Sequence, residues 1–391
     1  MTQRPAASTF AASLRSGRKD ARSRPAEGSP AEGAAGRPVA EPTLEPFRRA
    51  FVGSLRELHR PCGAITFVSG SPSPVQAVAE AIALTPYRIP TLVVPASGVL
   101  TQAAEAEGAH AATGVAWSGR PGSVRVAAGD DVEAVSRELG PGGVVAAFFA
   151  ADGFEHAEVD ALSRDRLCLF GAGAQGPSVF VVDDGKVRSG RVAAIRFDGA
   201  GSPIVEAASA CRLVSEPMTV TQLDRGLVSS LDGEPALDVL TAKAGGGRHG
   251  GLILLAVHDL ADPERALIRA IRGVDPARKA IAVSADLNVG DRVSFAVRDA
   301  SAAKDALSEA ARRAERQALG SQPTFGLYLT CSGRGRSLYG EADIDVRILK
   351  KRFPKIPMAG MYSAFEVVPW GAGSSKVQLM NGVFALFRAP S

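Results

Sequence analysis

The chain has 391 residues, enough for two folded domains, and its 46% apolar and 22% charged content is ordinary for a soluble protein. The net charge of +4 is modest and much of it sits in the first fifty residues, where nine Arg/Lys face five Asp/Glu, so with sparse aromatics it is weak evidence for nucleic-acid binding and none is expected. The four cysteines (Cys62, Cys168, Cys211, Cys331) and five histidines are scattered without Cys-x-x-Cys or His-x-x-x-His spacing, and the apolar runs are too short to span a bilayer, so neither zinc, disulfides nor a membrane partner is expected.

In chain order, residues 1–45 are rich in Ala, Arg, Ser, Gly and Pro, lack periodic apolar positions, and read as a disordered basic tail. Phe47, Phe51, Leu55 and Leu58 then mark one helical stripe. Ala64–Val68 reads as a buried strand. Ser73 caps a helix with Val75, Val78, Ala79 and Ile82 on its apolar face, and Thr91–Val94 is the next strand, ending in Ala96-Ser97-Gly98. Two strands within 111–128, a helix started by Asp130 and Asp131 and running through Leu139, the strand in GGVVAAFFAADG, a helix from His156 to Leu162 and the strand RLCLFGAGAQG follow. Asp184-Gly185 marks a hairpin. Beyond residue 206, short strands, a helix over 235–243, a GGGRHG loop and the strand GLILLAV lead into ALIRAIRGVD, where alternation turns Arg269 towards an apolar face and suggests a carboxylate partner, with Asp275 the candidate. SAAKDALSEAARRAERQAL is an amphipathic helix with Ala302, Ala306, Leu307, Ala310, Ala314 and Leu319 on one face. Strand–helix–strand units thus occur around 64–98, 143–176 and 325–363, and suggest a mixed α/β (α+β) architecture of duplicated units with sheets covered by helices. The expected division is a tail over 1–45 and domains over 46–205 and 206–391.

The chemistry gathers in PTFGLYLTCSGRGRSLYG and PKIPMAGMYSAFEVV. A parallel strand pair there delivers Cys331, Ser332, Arg334 and Arg336 on one loop and Tyr362, Ser363 and Glu366 on the next. The arginines suit an anionic group and Glu366 an amine, with an internal Arg–Glu ion pair as the competing reading. Cys331 beside two arginines is a nucleophile, a ligand contact or a packed thiol; no histidine base accompanies it, so no catalytic constellation is complete. Gly171-Ala-Gly173-Ala-Gln-Gly176 matches G-x-G-x-x-G, but Pro177 and an alternating β segment follow where a dinucleotide site needs a helix, so no cofactor is expected.

These phrases, with IPTLVVPASGVLTQAAEAEGAHAATGVAW, LDGEPALDVL and IRAIRGVDPARKAIAVSADLNVGDRVSFAVRD, resemble the FIST family, an N-terminal FIST domain followed by a C-terminal one over roughly residues 60–385. Two positions depart from the family pattern: Val94-Pro95-Ala96-Ser97 replaces a Gly-Cys-Ser-type turn, and Phe365 replaces a glycine before the glutamate. The resemblance implies a cytoplasmic sensory module that binds a small molecule, amino acids among the candidates, and signals through a separate partner protein, since no output domain is recognised. Its expected ligand contacts are Cys331, Ser332, Arg334, Arg336, Tyr362, Ser363 and Glu366, with Ser97 and Arg269. A thiol-dependent enzyme built on Cys331 and an interaction scaffold using the basic tail are the alternatives.

Overall fold

The computed structural model describes residues 5–14, 44–70, 74–198, 201–244, 252–262, 265–371 and 373–389. Its elements fall into three runs of the same plan. The first comprises β1 (Ala7–Ser13), α1 (Glu45–Glu57), β2 (Pro61–Ser69), α2 (Val75–Ala83), β3 (Thr91–Ala96), the hairpin β4 (Gly98–Thr101) and β5 (Glu105–Glu107), and β6 (Ala111–Ser118). The second comprises β7 (Val124–Gly129), α3 (Val132–Leu139), β8 (Val144–Ala150), α4 (His156–Ser163), β9 (Cys168–Ala174), the hairpin β10 (Val179–Asp183) and β11 (Lys186–Gly190), and β12 (Val192–Phe197).

The third run begins with β13 (Gly201–Ser209) and is then interrupted. The insertion holds β14 (Cys211–Leu213), β15 (Met218–Asp224), β16 (Leu227–Leu231), β17 (Glu234–Pro235), α5 (Ala236–Ala244), β18 (Ile253–His258), β19 (Ala266–Asp275), β20 (Ala280–Val283) and β21 (Arg292–Arg298). The plan resumes with α6 (Ala300–Gln317), β22 (Pro323–Cys331), α7 (Arg336–Tyr339), α8 (Ile344–Arg352), β23 (Met358–Ser363), the hairpin β24 (Glu366–Pro369) and β25 (Ser375–Gln378), and β26 (Asn381–Arg388).

Each run builds one six-stranded sheet but lends its hairpin to another. The orders are β1-β6-β2-β3-β10-β11, β7-β12-β8-β9-β24-β25 and β13-β26-β22-β23-β4-β5. The first hairpin therefore completes the third sheet, the second completes the first, and the third completes the second. In every sheet the one parallel pair (β2–β3, β8–β9, β22–β23) is the strand–helix–strand unit legible in the sequence. The three inner faces share one apolar cluster, to which Phe67 and Val94, Phe148 and Phe170, and Phe325 and Leu329 contribute from the three sheets. The rings of Trp117, Phe325, Phe387 and Phe197 form a continuous column at centroid spacings of 5.1, 4.3 and 4.7 Å. Helices α1 and α2, α3 and α4, and α6 and α8 cover the three outer faces. Central strands buried on both faces explain the unbroken apolar runs such as Val144–Ala150.

The insertion is a barrel of its own. β21, β15, β16, β20, β19 and β18 pair in sequence, and pairing of β18 with β21 closes the ring around Val220, Leu231, Leu255, Ile281 and Phe295.

Several expectations change. The tail contains β1, whose seven residues pair antiparallel with Trp117 back to Ala111, while the Phe10 ring lies 6.0 and 5.1 Å from those of Phe47 and Phe51. Its alternating Phe10, Ala12 and Leu14 were hidden by a basic, small-residue composition. The hairpin exchange carries strands across residue 205, so the halves 46–205 and 206–391 do not own separate sheets. In α6 the buried face is Ala303, Leu307, Ala310, Ala311 and Ala314, whereas Leu319, past the helix end, is 78% exposed. The expected Ser73 cap and the GGGRHG loop lie outside the described residues.

Candidate functional site

The two loops after β22 and β23 do meet, but Arg334 and Glu366 face inward. Arg334 is 0% exposed, and its Nε and Nη2 donate to Asp345 Oδ2 and Oδ1 at 2.8 and 3.0 Å. Nη1 donates to Ala208 O and Nη2 to Tyr339 Oη, while Tyr328 Oη donates to Asp345 Oδ2 at 2.8 Å. With its bidentate edge filled by a buried carboxylate and no surface exposed, this guanidinium offers no fork to a ligand anion. Arg334 is therefore a structural cation, and its partner is Asp345 rather than Glu366. Arg336 is exposed at the start of α7, its backbone N donating to Glu107 Oε1. Ser332, also exposed, is held by its backbone N to Ser363 O.

Glu366 is fully buried at the start of β24, between β9 and β25. Ser363 Oγ lies 2.9 Å from Thr330 O and 2.7 Å from Glu366 Oε1, and Asn381 N donates to Oε2. A hydroxyl has one proton and a carbonyl has none to give, so both Ser363 contacts are satisfied together only when the Glu366 carboxyl donates. Burial, opposed by the Ser363 and Asn381 hydrogen bonds, pushes this carboxyl up to about 8, in agreement with a protonated group. Burial and the neighbouring Glu366 push the Cys331 thiol up to about 12, the reverse of an activated nucleophile.

Tyr362 and Ser97 join the first and third runs. Tyr362 Oη donates to Glu105 Oε2 at 2.8 Å, and Ser97 donates to Tyr362 O through both N and Oγ at 3.2 Å. Glu105 Oε2 also accepts from Asp343 N at 2.9 Å, at the head of α8. Burial raises the Glu105 carboxyl, and burial with the Glu105 charge raises the Tyr362 phenol. The seam where β4 and β5 join the third sheet is thus plugged by Glu105, Glu107 and Tyr362.

The corresponding seam of the first sheet is open. There the carboxyl ends of β2, β3, β8 and β9 converge on a crevice of about 730 Å³, walled by Gly70, Ser97, Asp152, Gln175, Ser178 and Phe180, with Gln76 of α2. Crevices outside the carboxyl ends of parallel strands are the usual ligand position in α/β sheets. This volume suits a small molecule.

The glycines once suggestive of a dinucleotide site serve packing. A Cβ on Gly171 would come within 1.7 Å of Ala147 O, and one on Gly173 within 2.5 Å of the Phe365 ring. Both lie inside β9, and only Gly176, at φ +87, makes the turn.

A FIST N domain model matches residues 63–234 and a FIST C domain model follows at 242–369. This chain belongs to the FIST family. FIST domains are associated in general with sensory and signal-transduction proteins. An uncharacterized protein of Mycobacterium tuberculosis is 34% identical over 218 residues, 52% of this chain and 55% of that relative. One of Mycobacterium bovis is 32% identical over 216 residues, with the same shares of 52% and 55%. The match thus spans about half the length of these curated relatives.

Within this FIST protein the departure at Phe365 is compensated locally. Its ring packs 4.2 Å from that of Phe154 and onto Gly173, so the added bulk lies in a core contact. The Arg269 expectation is half right. It is a buried cation, only 7% exposed, but Asp275 binds Arg278 instead, and Arg269 donates through Nη1 to Ile268 O and Val377 O. Sequence reading missed Asp345, Glu105, Glu107, Tyr328, Tyr339 and Gln175. Only Asp345 left a signal, a carboxylate at an otherwise buried position of α8. Among the described residues no helix is long and apolar enough to cross a membrane.

Proposed function

We propose that this FIST protein is a cytoplasmic sensor that binds a small polar molecule in the Ser97 crevice and signals through a separate partner protein. The carrying observation is the contrast between equivalent seams. Glu105, Glu107 and Tyr362 fill the third-sheet seam, whereas the first-sheet seam opens at the ends of two parallel pairs onto hydrogen-bonding side chains. Gln76, Ser97, Asp152, Gln175 and Ser178 recognise polar groups, and Phe180 covers an apolar portion. In this reading the same residues carry the signal. A ligand that competes for Ser97 Oγ loosens Tyr362 O, on the strand that continues to Ser363 and the Glu366 seam. The elevated Cys331 thiol supports binding rather than thiol chemistry, and four free cysteines suit a reducing compartment.

A thermal-shift panel of amino acids and other small polar metabolites tests this, because a bound ligand raises stability by mass action. At least one member should raise the melting temperature of the parent protein and fail to do so in Gln76→Ala/Gln175→Ala. A panel without effect, or a shift unchanged in that variant, contradicts the reading.

A further inference from the structure

Among the described residues, three arginines are at least nine-tenths buried: Arg166, Arg269 and Arg334. Two are saturated. Arg334 gives its Nε/Nη2 edge to Asp345. Arg166 spreads Nε, Nη1 and Nη2 over Leu162 O, Gly140 O, Gly142 O, Ser136 O and Ser136 Oγ. Arg269 differs. Its hydrogen bonds among the described residues, to Ile268 O at 2.9 Å and Val377 O at 3.1 Å, both come from Nη1 and take both of that nitrogen's protons. Nε and Nη2 have no acceptor, and no carboxylate forms an ion pair with Arg269, among the described residues. That leaves the edge with which Arg334 grips Asp345 available on Arg269.

The available edge belongs to a residue lining a cavity of about 510 Å³ where α4 and β25 meet the barrel strands β18, β19 and β20. Neither nitrogen is sealed from solvent, and Arg269 is one of the residues that line this space. Val159, Leu267 and Val377 supply an apolar floor. Of the charged groups around it, Lys376 is paired with Asp160 at 3.4 Å, which leaves Arg269 and Arg272 facing Asp286. Burial and the nearby Arg269 charge lower the His156 imidazole, so it adds no further cation at neutral pH. The balance is positive. A buried guanidinium without a counter-charge costs several kcal/mol, by roughly the desolvation scale of single ions, and an oxyanion offsets that cost. Its planar fork matches two oxygens of a carboxylate or phosphate.

We propose that Arg269 anchors a second ligand site, which takes the carboxylate or phosphate group of a small organic molecule on its Nε/Nη2 edge with the molecule's apolar body over Val159 and Leu267. The site shares no lining residue with the Ser97 crevice. It stands or falls independently of ligand binding there.

The test is a melt of the full chain titrated with sodium succinate and, separately, inorganic phosphate, against sodium chloride of matched ionic strength. A saturable rise of a few degrees with succinate assigns a carboxylate ligand, and one with phosphate assigns a phosphate ligand. Arg269→Met, which also gives up the bonds to Ile268 O and Val377 O, should lose the anion response whatever its anion-free melting temperature. Ala285→Trp, which fills the cavity wall and keeps Arg269, should lose the response as well and decides the matter if Arg269→Met does not fold. No response beyond chloride to either anion overturns the proposal. So does a response that survives Ala285→Trp, or one that survives in folded Arg269→Met.

Discussion

At the scale of single residues, the structure exchanges the roles that the sequence suggested for Arg334 and Glu366. Opposite charges on neighbouring loops look like a ligand clamp, yet each is consumed internally. Arg334→Ala leaves Asp345 buried and unpaired and should cost about 3–5 kcal/mol in urea unfolding, whereas Arg334→Met/Asp345→Leu should recover most of that loss. Glu366 gives a pH signature of known sign. Its carboxyl is held near 8 in the fold against an ordinary value of 4.5, so the unfolded chain releases this proton first. The contribution of Glu366 to stability is greatest below about pH 4.5, falls as pH rises, and levels off above about 8. Glu366→Gln removes that slope, and its stability relative to the parent should rise by a few kcal/mol, roughly, between pH 5 and 8, as urea melts across that range would show. Arg269 was recognisable as a cation on an apolar face, but alternation along β19 says nothing about which carbonyls from β25 lie opposite.

At the scale of elements, periodicity was a good guide and composition was not. Phe47, Phe51, Leu55 and Leu58 are all buried, and Asp184-Gly185 turns the β10–β11 hairpin with both φ angles positive. The basic composition of residues 1–45, by contrast, concealed a strand. Removing residues 1–14 uncovers β6 and the Phe47–Phe51 pair, so the truncated protein should melt well below the parent and bind a hydrophobic dye; an unchanged melt would return this segment to the status of a tail. Gly171 and Gly173 carried a motif whose cause lies across the sheet. Gly171→Ala drives a methyl into Ala147 O, and should cost at least about 1–3 kcal/mol by the overpacking scale, read by denaturant unfolding.

At the scale of the molecule, three strand–helix–strand units were legible because each is local, with its helix and parallel partner close in sequence. The cyclic loan of hairpins was not. Alternation tells a hairpin which face is apolar but not which sheet edge receives it, and the third run is split by the barrel between Ser209 and Ala300. The exchange makes the halves of the chain interdependent. Residues 206–391 alone lack β4 and β5 for their sheet and carry β24 and β25 without β9. That fragment should not melt cooperatively, whereas residues 211–298, with a closed ring and their own core, should.

The same exchange places the Ser97 crevice between strands of two runs and ties its wall to Tyr362. The most direct test of the sensory reading is isothermal titration of the full chain with the small polar molecule that gives the largest thermal shift. The account predicts saturable binding that Ser178→Trp, filling the crevice, abolishes while leaving the melting temperature of the free protein near that of the parent. Binding of unaltered affinity in a folded Ser178→Trp protein would contradict it.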